Sequence, residues 1–416
     1  MKILHLSDIH LGSSFGHGKT NPETGLNTRF EDFVHCLRIC IDRAIDDKVD
    51  LVLFGGDAFP DSTPAPYIQS AFAKEFCRLV EAQIPTVLLV GNHDQHSHVQ
   101  GQGTASLSIY DTLGVPNFIV GEKIETHLIN TKSGQIQVIT LPWVTRSILL
   151  TKPETEGLSA EDINKLLIQK IEPVLEAQIR KLNKEIPTIL LAHVMAEKAN
   201  LGAERFLAVG KGFQMPLSIL ARPELDYVAL GHVHKHQNLH KKNNPPVVYA
   251  GSIERVDFSE EKEEKGYVLI NINNHEVNWE FCCLPARPFV TIQVDISESS
   301  QPQLDLLKAI EKHNIEDAVV RLIYRVRSEQ CELISKNELK AKLAQAHTYN
   351  IKPELVTQLA RPRQPELGIG KSLDPLSALS TYLNNRDDLR DIVSDMLTAA
   401  ETLLSSDGNV MVFDND

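Results

Sequence analysis

Residues of the types that bind metal ions or transfer protons follow five short apolar stretches of this chain. In chain order they are Asp8 and His10, Asp57, Asn92 and His93, His193, and His232 and His234. A single cluster of this kind is usually structural. Five such clusters are hard to obtain by chance, and we therefore treat them together as one candidate site.

The side chains of this set offer carboxylate, amide and imidazole groups and no thiolate, which suits Mn²⁺, Fe²⁺, Mg²⁺ or Zn²⁺ rather than a structural zinc finger. There are enough ligands for two ions, and ions about 3.5–4 Å apart can activate water and stabilise displacement at phosphorus. Asp57 is the natural bridging ligand because it stands alone after a strand and the glycines before it permit close approach. Asn92 is neutral and leaves more positive charge for a phosphate.

The elements around these residues must bring them to one place. Asp8 and His10 are expected to share one side of an extended segment, since side chains two positions apart do so. Three apolar strands alternate with helices at 27–47 and about 65–82, which predicts a βαβαβ unit with parallel strands. The carboxyl ends of such strands meet at one edge of a sheet, where ligands can be assembled.

Local features outside the clusters have structural interpretations. Thr28 and Glu31 have the spacing of a capping box at the start of the first helix. The run from Ser259 to Lys265 is mixed in charge, and we expect a solvated turn there. His5 alternates inside the first strand and is interpreted as a core residue or as support for the site.

Bulk properties limit the possible partners. The chain has 416 residues and a net charge of −13, so a DNA site would have to be locally basic or supplied by a partner. Six cysteines without a Cys-x-x-Cys pair predict a reduced, cytoplasmic protein without disulfides. No apolar run approaches the length of a membrane span, and the first residues turn polar too early for a signal peptide.

The motifs Asp-x-His, Gly-Gly-Asp, Gly-Asn-His-Asp, a lone histidine after a strand and Gly-His-x-His follow one another in this order. Together they resemble the calcineurin-like metallophosphoesterases. Within these, the opening Lys-Ile-Leu-His-Leu-Ser-Asp-Ile-His-Leu-Gly and the stretches 229–235 and 249–252 are most similar to the SbcD-type DNA exonuclease subunits, relatives of the meiotic-recombination nucleases. The resemblance implies an α/β fold, a four-layer αββα sandwich with a small α+β capping domain and C-terminal helices.

The resemblance also implies roles for the site residues. Asp8, His10 and His234 would bind one divalent ion, Asn92, His193 and His232 a second, and Asp57 both. Mn²⁺ is the expected ion, with Mg²⁺ or Fe²⁺ as alternatives, and no organic cofactor is expected. His93 would be catalytic, stabilising the transition state or protonating the leaving 3′-oxygen.

One position departs from the pattern of the family. Many relatives carry His or Asp three residues after the bridging aspartate, where it orients the catalytic histidine. This chain has Pro60 at that position. Asp61 or Asp94 could take over that task, and the sequence leaves the choice open.

By resemblance, the chain divides into a nuclease domain at 1–286, a capping domain at 287–358, a linker at 359–373 and partner-docking helices at 374–416. The implied function is duplex exonuclease and single-strand endonuclease activity in DNA repair and recombination. The implied partners are DNA and a coiled-coil ATPase of the SbcC type, with two copies of this chain in a heterotetramer.

Two alternatives compete with the nuclease. A phosphatase or cyclic-nucleotide phosphodiesterase would use the same chemistry, but it has no evident need for the linker and the C-terminal helices. A non-catalytic scaffold that kept the fold would not need seven ligands and His93.

Overall fold

The computed structural model describes residues 1–96, 105–145, 156–200, 214–240, 245–356 and 393–405, and positions 376, 379, 380 and 383. The chain falls into two compact units, Met1–Arg325 with Glu332–Glu354, and Val326–Cys331 with Leu355–Asp416. The predicted linker at 359–373 lies outside the described residues. The predicted domain boundaries stay predictions.

The described strands and helices are as follows. The strands are β1 Lys2–Leu6, β2 Leu51–Phe54, β3 Thr86–Leu89, β4 Phe118–Gly121, β5 Glu125–Thr131, β6 Gly134–Leu141, β7 Thr188–His193, β8 Met195–Ala196, β9 Gln214–Met215, β10 Tyr227–Gly231, β11 Gln237–Asn238, β12 Val247–Tyr249, β13 Gly266–Asn273, β14 Glu276–Cys283, β15 Phe289–Asp295, β16 Val319–Val326 and β17 Thr348–Leu355. The α-helices are α1 Thr28–Asp46, α2 Pro66–Glu81, α3 Ser108–Thr112, α4 Ala160–Ile179, α5 Leu217–Leu220, α6 Pro302–Glu311, α7 Lys336–Lys342 and α8 Val393–Ser405. Three short 3₁₀ helices lie at Phe15–His17, Phe258–Glu260 and Ser328–Leu333.

Two six-stranded sheets form the body of the first unit. Their strand orders are β14-β13-β1-β2-β3-β4 and β11-β12-β10-β7-β6-β5. Strands β1 to β4 run parallel, as do β12, β10, β7 and β6. The predicted parallel βαβαβ unit, β1-α1-β2-α2-β3, is therefore confirmed.

The two sheets pack face to face with helices outside both, which confirms the four-layer αββα sandwich. Alternate residues of one strand pack into different layers of the sandwich, because side chains in a strand point to opposite faces of the sheet. In β2, Leu53 lies in the core between the sheets, whereas Phe54 packs with α1 and α2. On the second sheet, α4 packs through residues such as Leu167 and Ile171. Strands covered on both faces are apolar throughout, so they can be recognised in the sequence as continuous apolar runs.

The first helix begins differently from the prediction. Asn27 is the N-cap, and its side chain accepts a hydrogen bond from the main-chain N–H of Arg29 at 2.9 Å. The Thr28 hydroxyl instead contacts Nε2 of His347 at 2.7 Å. The predicted capping box of Thr28 with Glu31 is wrong, because two adjacent residues both favour the N-cap position and tertiary contacts select between them.

A three-stranded sheet, β15-β16-β17, follows the sandwich, with β15 and β16 parallel. We call it the small sheet. It is joined to α1 through Arg287, whose guanidinium makes two hydrogen bonds of 2.7 Å to the carboxylate of Asp32. Such a two-pronged charged contact fixes orientation as well as distance.

The described part of the second unit includes α8, on which Met396 is 40% exposed. Among the helices that the structure describes, none combines the length and the apolar character needed to cross a bilayer. The six cysteines are all free thiols.

Candidate metal centre

The predicted site residues lie where the carboxyl ends of both sheets meet. Strands β1, β2 and β3 of one sheet and β7 and β10 of the other end beside the same cleft. The parallel direction within each sheet and the packing of the sheets together bring residues from 8 to 234 to one place. The structure thus brings together all eight predicted residues, namely Asp8, His10, Asp57, Asn92, His93, His193, His232 and His234.

The first group of ligand atoms comes from Asp8, His10 and His234, which lie within 4.8 Å of one another and are buried. Nε2 of His10 and Nε2 of His234 are 3.0 Å apart. These are the three residues predicted for one ion, and their atoms are close enough to share one.

The second group comes from Asp57, His193 and His232, again within 4.8 Å. The amide oxygen of Asn92 completes it, 3.0 Å from Nε2 of His193 and 2.9 Å from Nδ1 of His232. His232 thus turns Nδ1 towards the cleft, whereas His193 presents Nε2.

Asp57 lies between the two groups. One of its carboxylate oxygens is 3.3 Å from Nε2 of His193 and 3.7 Å from Nε2 of His10. A ligand that serves both ions would have to occupy this position. The bridging role itself stays a prediction.

Several candidate ligands have an unusual backbone. The φ angles of Asp8, His10, Asp57 and His232 are 51°, 46°, 59° and 98°. Left-handed backbone costs about 1–3 kcal/mol per non-glycine residue and clusters at functional sites. Asp8 and His10 lie beyond the end of β1, so the expected extended segment is wrong, and left-handed turns bring their side chains together instead.

Glycines let the loops approach one another. A Cβ at Gly56, whose φ is 97°, would lie 2.5 Å from Nδ1 of His193. A Cβ at Gly91 would collide with the main chain and carboxylate of Asp57. Both positions require glycine, because a side chain there would occupy the space that His193 or Asp57 fills.

The electrostatics of the cleft prepare it for cations. Burial alone would raise the pKa of Asp57, but His193, His10 and His93 hold it well below its usual range. Burial and the neighbouring His193 lower the pKa of His232 to about 3. Burial alone would lower the pKa of His193, but Asp57 and Asp8 raise it to about 9.

This donor set fits divalent ions. An ionised carboxylate, an amide oxygen and neutral imidazoles are the forms in which these residues bind hard and borderline metals. His193 is protonated near neutral pH in the metal-free protein, so an ion there would displace its proton. The chemistry of the donors, and not their number alone, supports a metal centre.

His93 lies beside both groups without belonging to the predicted ligands. Its main-chain N–H donates to Asp57 at 2.9 Å, and its ring lies edge-on to that of His10 at 5.0 Å. Its Nδ1 is 2.7 Å from the main-chain carbonyl of Pro60. The main chain of Pro60 therefore supplies the acceptor for the His93 ring, in place of the side chain that the resemblance implied at this position.

Neither aspartate proposed as a substitute contacts the His93 ring. Asp61 accepts a hydrogen bond from the main chain of Thr63 at 2.8 Å. Asp94 is buried and accepts hydrogen bonds from the main-chain N–H groups of Asp57 and Gly91, both at 2.9 Å. Asp94 thus holds two ligand-bearing loops together, while burial and Asp57 raise its pKa to about 6.

Two residues in contact with candidate ligands were missed from the sequence. Glu260 lies 2.7 Å from Nδ1 of His234, although the run 259–265 was expected to be a solvated turn. That expectation is wrong, because Glu260 and Lys265 are 0% and 1% exposed. The ring of Trp143 lies 4.8 Å from that of His232. The only sequence signal for Glu260 was Phe258 two positions before it, and for Trp143 there was none.

Comparison with known proteins agrees with this geometry. The curated relatives include the DNA double-strand break repair protein Mre11 of Archaeoglobus fulgidus, 23% identical over 62% of this chain and 52% of its own length. They also include one component of the nuclease SbcCD of Staphylococcus epidermidis, 25% identical over 73% of this chain and 75% of its own. The chain thus spans about half the length of the archaeal relative.

Among solved structures, a dimetal phosphatase from Danio rerio matches with a TM-score of 0.40 and 11% identity, over 67% of this chain and 98% of its own. The model of the calcineurin-like phosphoesterase family matches residues 1–236 of the 416, more than half of the chain. The match includes every predicted ligand and His93. This chain belongs to the calcineurin-like phosphoesterases.

Proposed function

We propose that this protein is a metal-dependent DNA nuclease that hydrolyses phosphodiester bonds, acting on duplex ends and on single strands. One observation carries the proposal, namely that two groups of ligand atoms meet at Asp57 in a cleft between the sheets. The similarity to a component of a nuclease and to a DNA-break repair protein favours DNA as the substrate.

Two divalent ions, with Mn²⁺ favoured, would occupy the two groups and share Asp57. When bound, such ions polarise a phosphate and lower the pKa of the attacking water. The side chains of the protein carry out the other functions of the site. Asp57 and Asp8 provide negative charge to hold cations, while the neutral Asn92 avoids additional repulsion of the phosphodiester.

His93 suits the role of the catalytic residue. Because its Nδ1 donates to the carbonyl of Pro60, Nε2 is the nitrogen left to face the cleft. A main-chain carbonyl fixes the ring without adding a second negative charge. In the imidazolium form, with a proton on Nε2 as well, His93 would donate a hydrogen bond to the phosphate and pass that proton to the leaving 3′-oxygen, which leaves the ring neutral.

We also infer that two copies of this chain act in the cytoplasm with a coiled-coil ATPase of the SbcC type. DNA phosphates bind to basic protein surfaces, whereas this chain has a net charge of −13. This supports a partner that supplies additional basic surface for DNA. Lys198 and Lys235 are exposed and stand close in sequence to the candidate ligands His193 and His234, which suits them to contact DNA phosphates. Val393, Met396 and Leu397 recur at helical spacing on α8 and are each at least partly exposed, and this apolar row supports docking of the C-terminal segment.

A cleavage assay tests the proposal. Purified protein with Mn²⁺, alone and with the ATPase, is incubated with linear duplex DNA, single-stranded DNA and p-nitrophenyl phosphate esters. We expect cleavage of DNA, stimulated by the ATPase. Intact DNA under all conditions, together with cleavage of the small esters, would establish the phosphatase alternative instead.

The role of the C-terminal segment is tested by removing the residues after Gly370. The shortened protein should bind Mn²⁺ normally and fail to co-elute with the ATPase in size-exclusion chromatography. Unchanged association would contradict the docking role while leaving the nuclease assignment intact.

A further inference from the structure

Glu260 links the candidate metal centre to a buried charge network. One of its carboxylate oxygens is 2.7 Å from Nδ1 of His234. The other lies 2.8 Å from Nζ of Lys265 and accepts the main-chain N–H of Val256 at 3.0 Å. Lys265 is also 2.9 Å from the carboxylate of Glu263. The charge of Glu260 is therefore balanced within the protein interior.

This arrangement determines which nitrogen of His234 faces the first group. A carboxylate that accepts a hydrogen bond from Nδ1–H keeps the proton of the neutral ring on Nδ1 and leaves Nε2 unprotonated, and Nε2 is the atom that lies beside His10. His193 is supported differently, because its Nδ1 is 2.7 Å from the main-chain carbonyl of Gly55. A carboxylate behind a ligating histidine raises its basicity more than a neutral carbonyl does.

The residues on either side of Glu260 contact the small sheet. The Phe258 ring lies 4.9 Å from that of Phe289, and the guanidinium of Arg321 lies over Phe258 at 4.2 Å. The Glu261 carboxylate accepts the main-chain N–H of Thr291 at 3.1 Å. A 3₁₀ helix of three residues thus reaches the metal centre with Glu260 and the small sheet with its neighbours.

We propose that Glu260 is a positioning residue for His234, and that through it the affinity for the first ion depends on how the small sheet is docked. This inference rests on the two-ion site of the proposed function. It goes beyond that function by assigning a route through which the small sheet can alter metal binding.

The test is a Mn²⁺ titration by calorimetry, with electron paramagnetic resonance to count coupled ions, on the full chain. Removing a partner behind a metal-binding histidine costs about ten- to a hundredfold in affinity. Glu260→Gln should weaken one of the two ions by that amount and replace the coupled signal with that of a single ion. The matched control, Glu263→Gln, removes a carboxylate from the same lysine and should leave both ions unchanged.

Two further variants complete the design. If Glu260→Gln fails to fold because Lys265 is left underpaired, the double variant Glu260→Gln/Lys265→Met removes both charges and should show the same loss. Arg321→Met removes the guanidinium that lies over Phe258, together with its 3.1 Å hydrogen bond to the Thr291 hydroxyl within the small sheet, and should weaken the same ion by at least about twofold.

The outcomes separate the inference from the proposed function. Two ions bound with unchanged affinity in Glu260→Gln or in the double variant would overturn the positioning role. Unchanged affinity in Arg321→Met would overturn the dependence on the small sheet. If the unaltered protein bound two ions but cleaved no DNA, the nuclease proposal would fail while the role of Glu260 could still stand.

Discussion

The two ligand groups of the metal centre differ in the residues that support them. In the first group, Asp8 contributes a carboxylate, and His234 is backed by Glu260. The Asp8 carboxylate also accepts the main-chain N–H of His232, at 3.0 Å and 3.1 Å to its two oxygens. The first group is therefore rich in negative charge and fixed by charged contacts.

The second group has neutral support apart from the shared Asp57. Asn92 contributes an amide, the carbonyl of Gly55 backs His193, and the ring of Trp143 lies against His232. Because cations are held most strongly by full charges, we expect the first ion to bind tightly and the second to exchange more readily. Substitutions in the two groups and changes of pH test this expected difference in affinity between the two ions.

Replacing Asp57, the ligand that both ions would share, should weaken metal binding in both groups. Asp57→Asn takes a carboxylate from both, so we expect weaker binding of both ions and a loss of about a thousandfold in kcat for DNA cleavage. Metal analysis after dialysis and a single-turnover assay measure the two effects. Asp61→Asn changes a nearby exposed carboxylate and serves as the control. Full activity and metal content in Asp57→Asn would contradict the bridging role.

A matched pair of substitutions tests the asymmetry directly. Asp8→Asn removes a charge and should weaken the first ion by about a hundredfold, equivalent to about 3 kcal/mol. Asn92→Ala removes a neutral ligand and should weaken the second ion by about tenfold. Mn²⁺ titrations of both variants provide the comparison. Equal losses, or the reverse order, would show that charge does not distinguish the groups.

The two ions should also respond differently to pH. Since Asp57 raises the pKa of His193 to about 9, a proton competes with the second ion below that pH. Its affinity should rise about tenfold per pH unit from pH 7 to 9 and level off above. Burial and His234 lower the pKa of His10, so the first ion should change little over this range. Identical slopes for both ions in calorimetry would refute the difference.

The smallest expected effect concerns the aromatic support of the second group. Trp143→Leu removes the ring beside His232 and should weaken the second ion by about two- to tenfold, the range of single aromatic contacts. The first ion should be unaffected. Loss of the first ion in this variant would mean that the groups are not independent.

The sequence predicted that the candidate ligands would lie together because each stands at, or within four residues of, the end of a buried strand. Strands covered on both faces are recognisable as apolar runs, and in parallel sheets their carboxyl ends share an edge. The sequence alone thus predicts that Asp57, His193 and His232 share one cleft.

The backbone that aims these ligands could not be predicted in the same way. The left-handed φ of Asp8 and His10 costs energy locally and persists because the β2 loop accepts their main-chain N–H groups. Asp and His tolerate positive φ better than most residues, but that weak preference does not place it at these two positions. Glu260 was misread for a similar reason. A glutamate in a charged run is usually solvated, and only the distant His234 and the nearby Lys265 make its burial favourable.

The pairing of β1 with β13 has a consequence for biosynthesis. β1 lies between β2 and β13, and its Lys2 pairs with Asn271. A growing chain therefore carries one unpaired edge of an apolar strand until β13 emerges from the ribosome, and such edges invite association with other chains. His234 and Glu260 also emerge late, so at the proposed two-ion site the first ion would bind only after nearly complete synthesis of the sandwich. The first strand thus gains its second neighbour only when most of the sandwich has been synthesised, and a protein interrupted before β13 would be prone to aggregate.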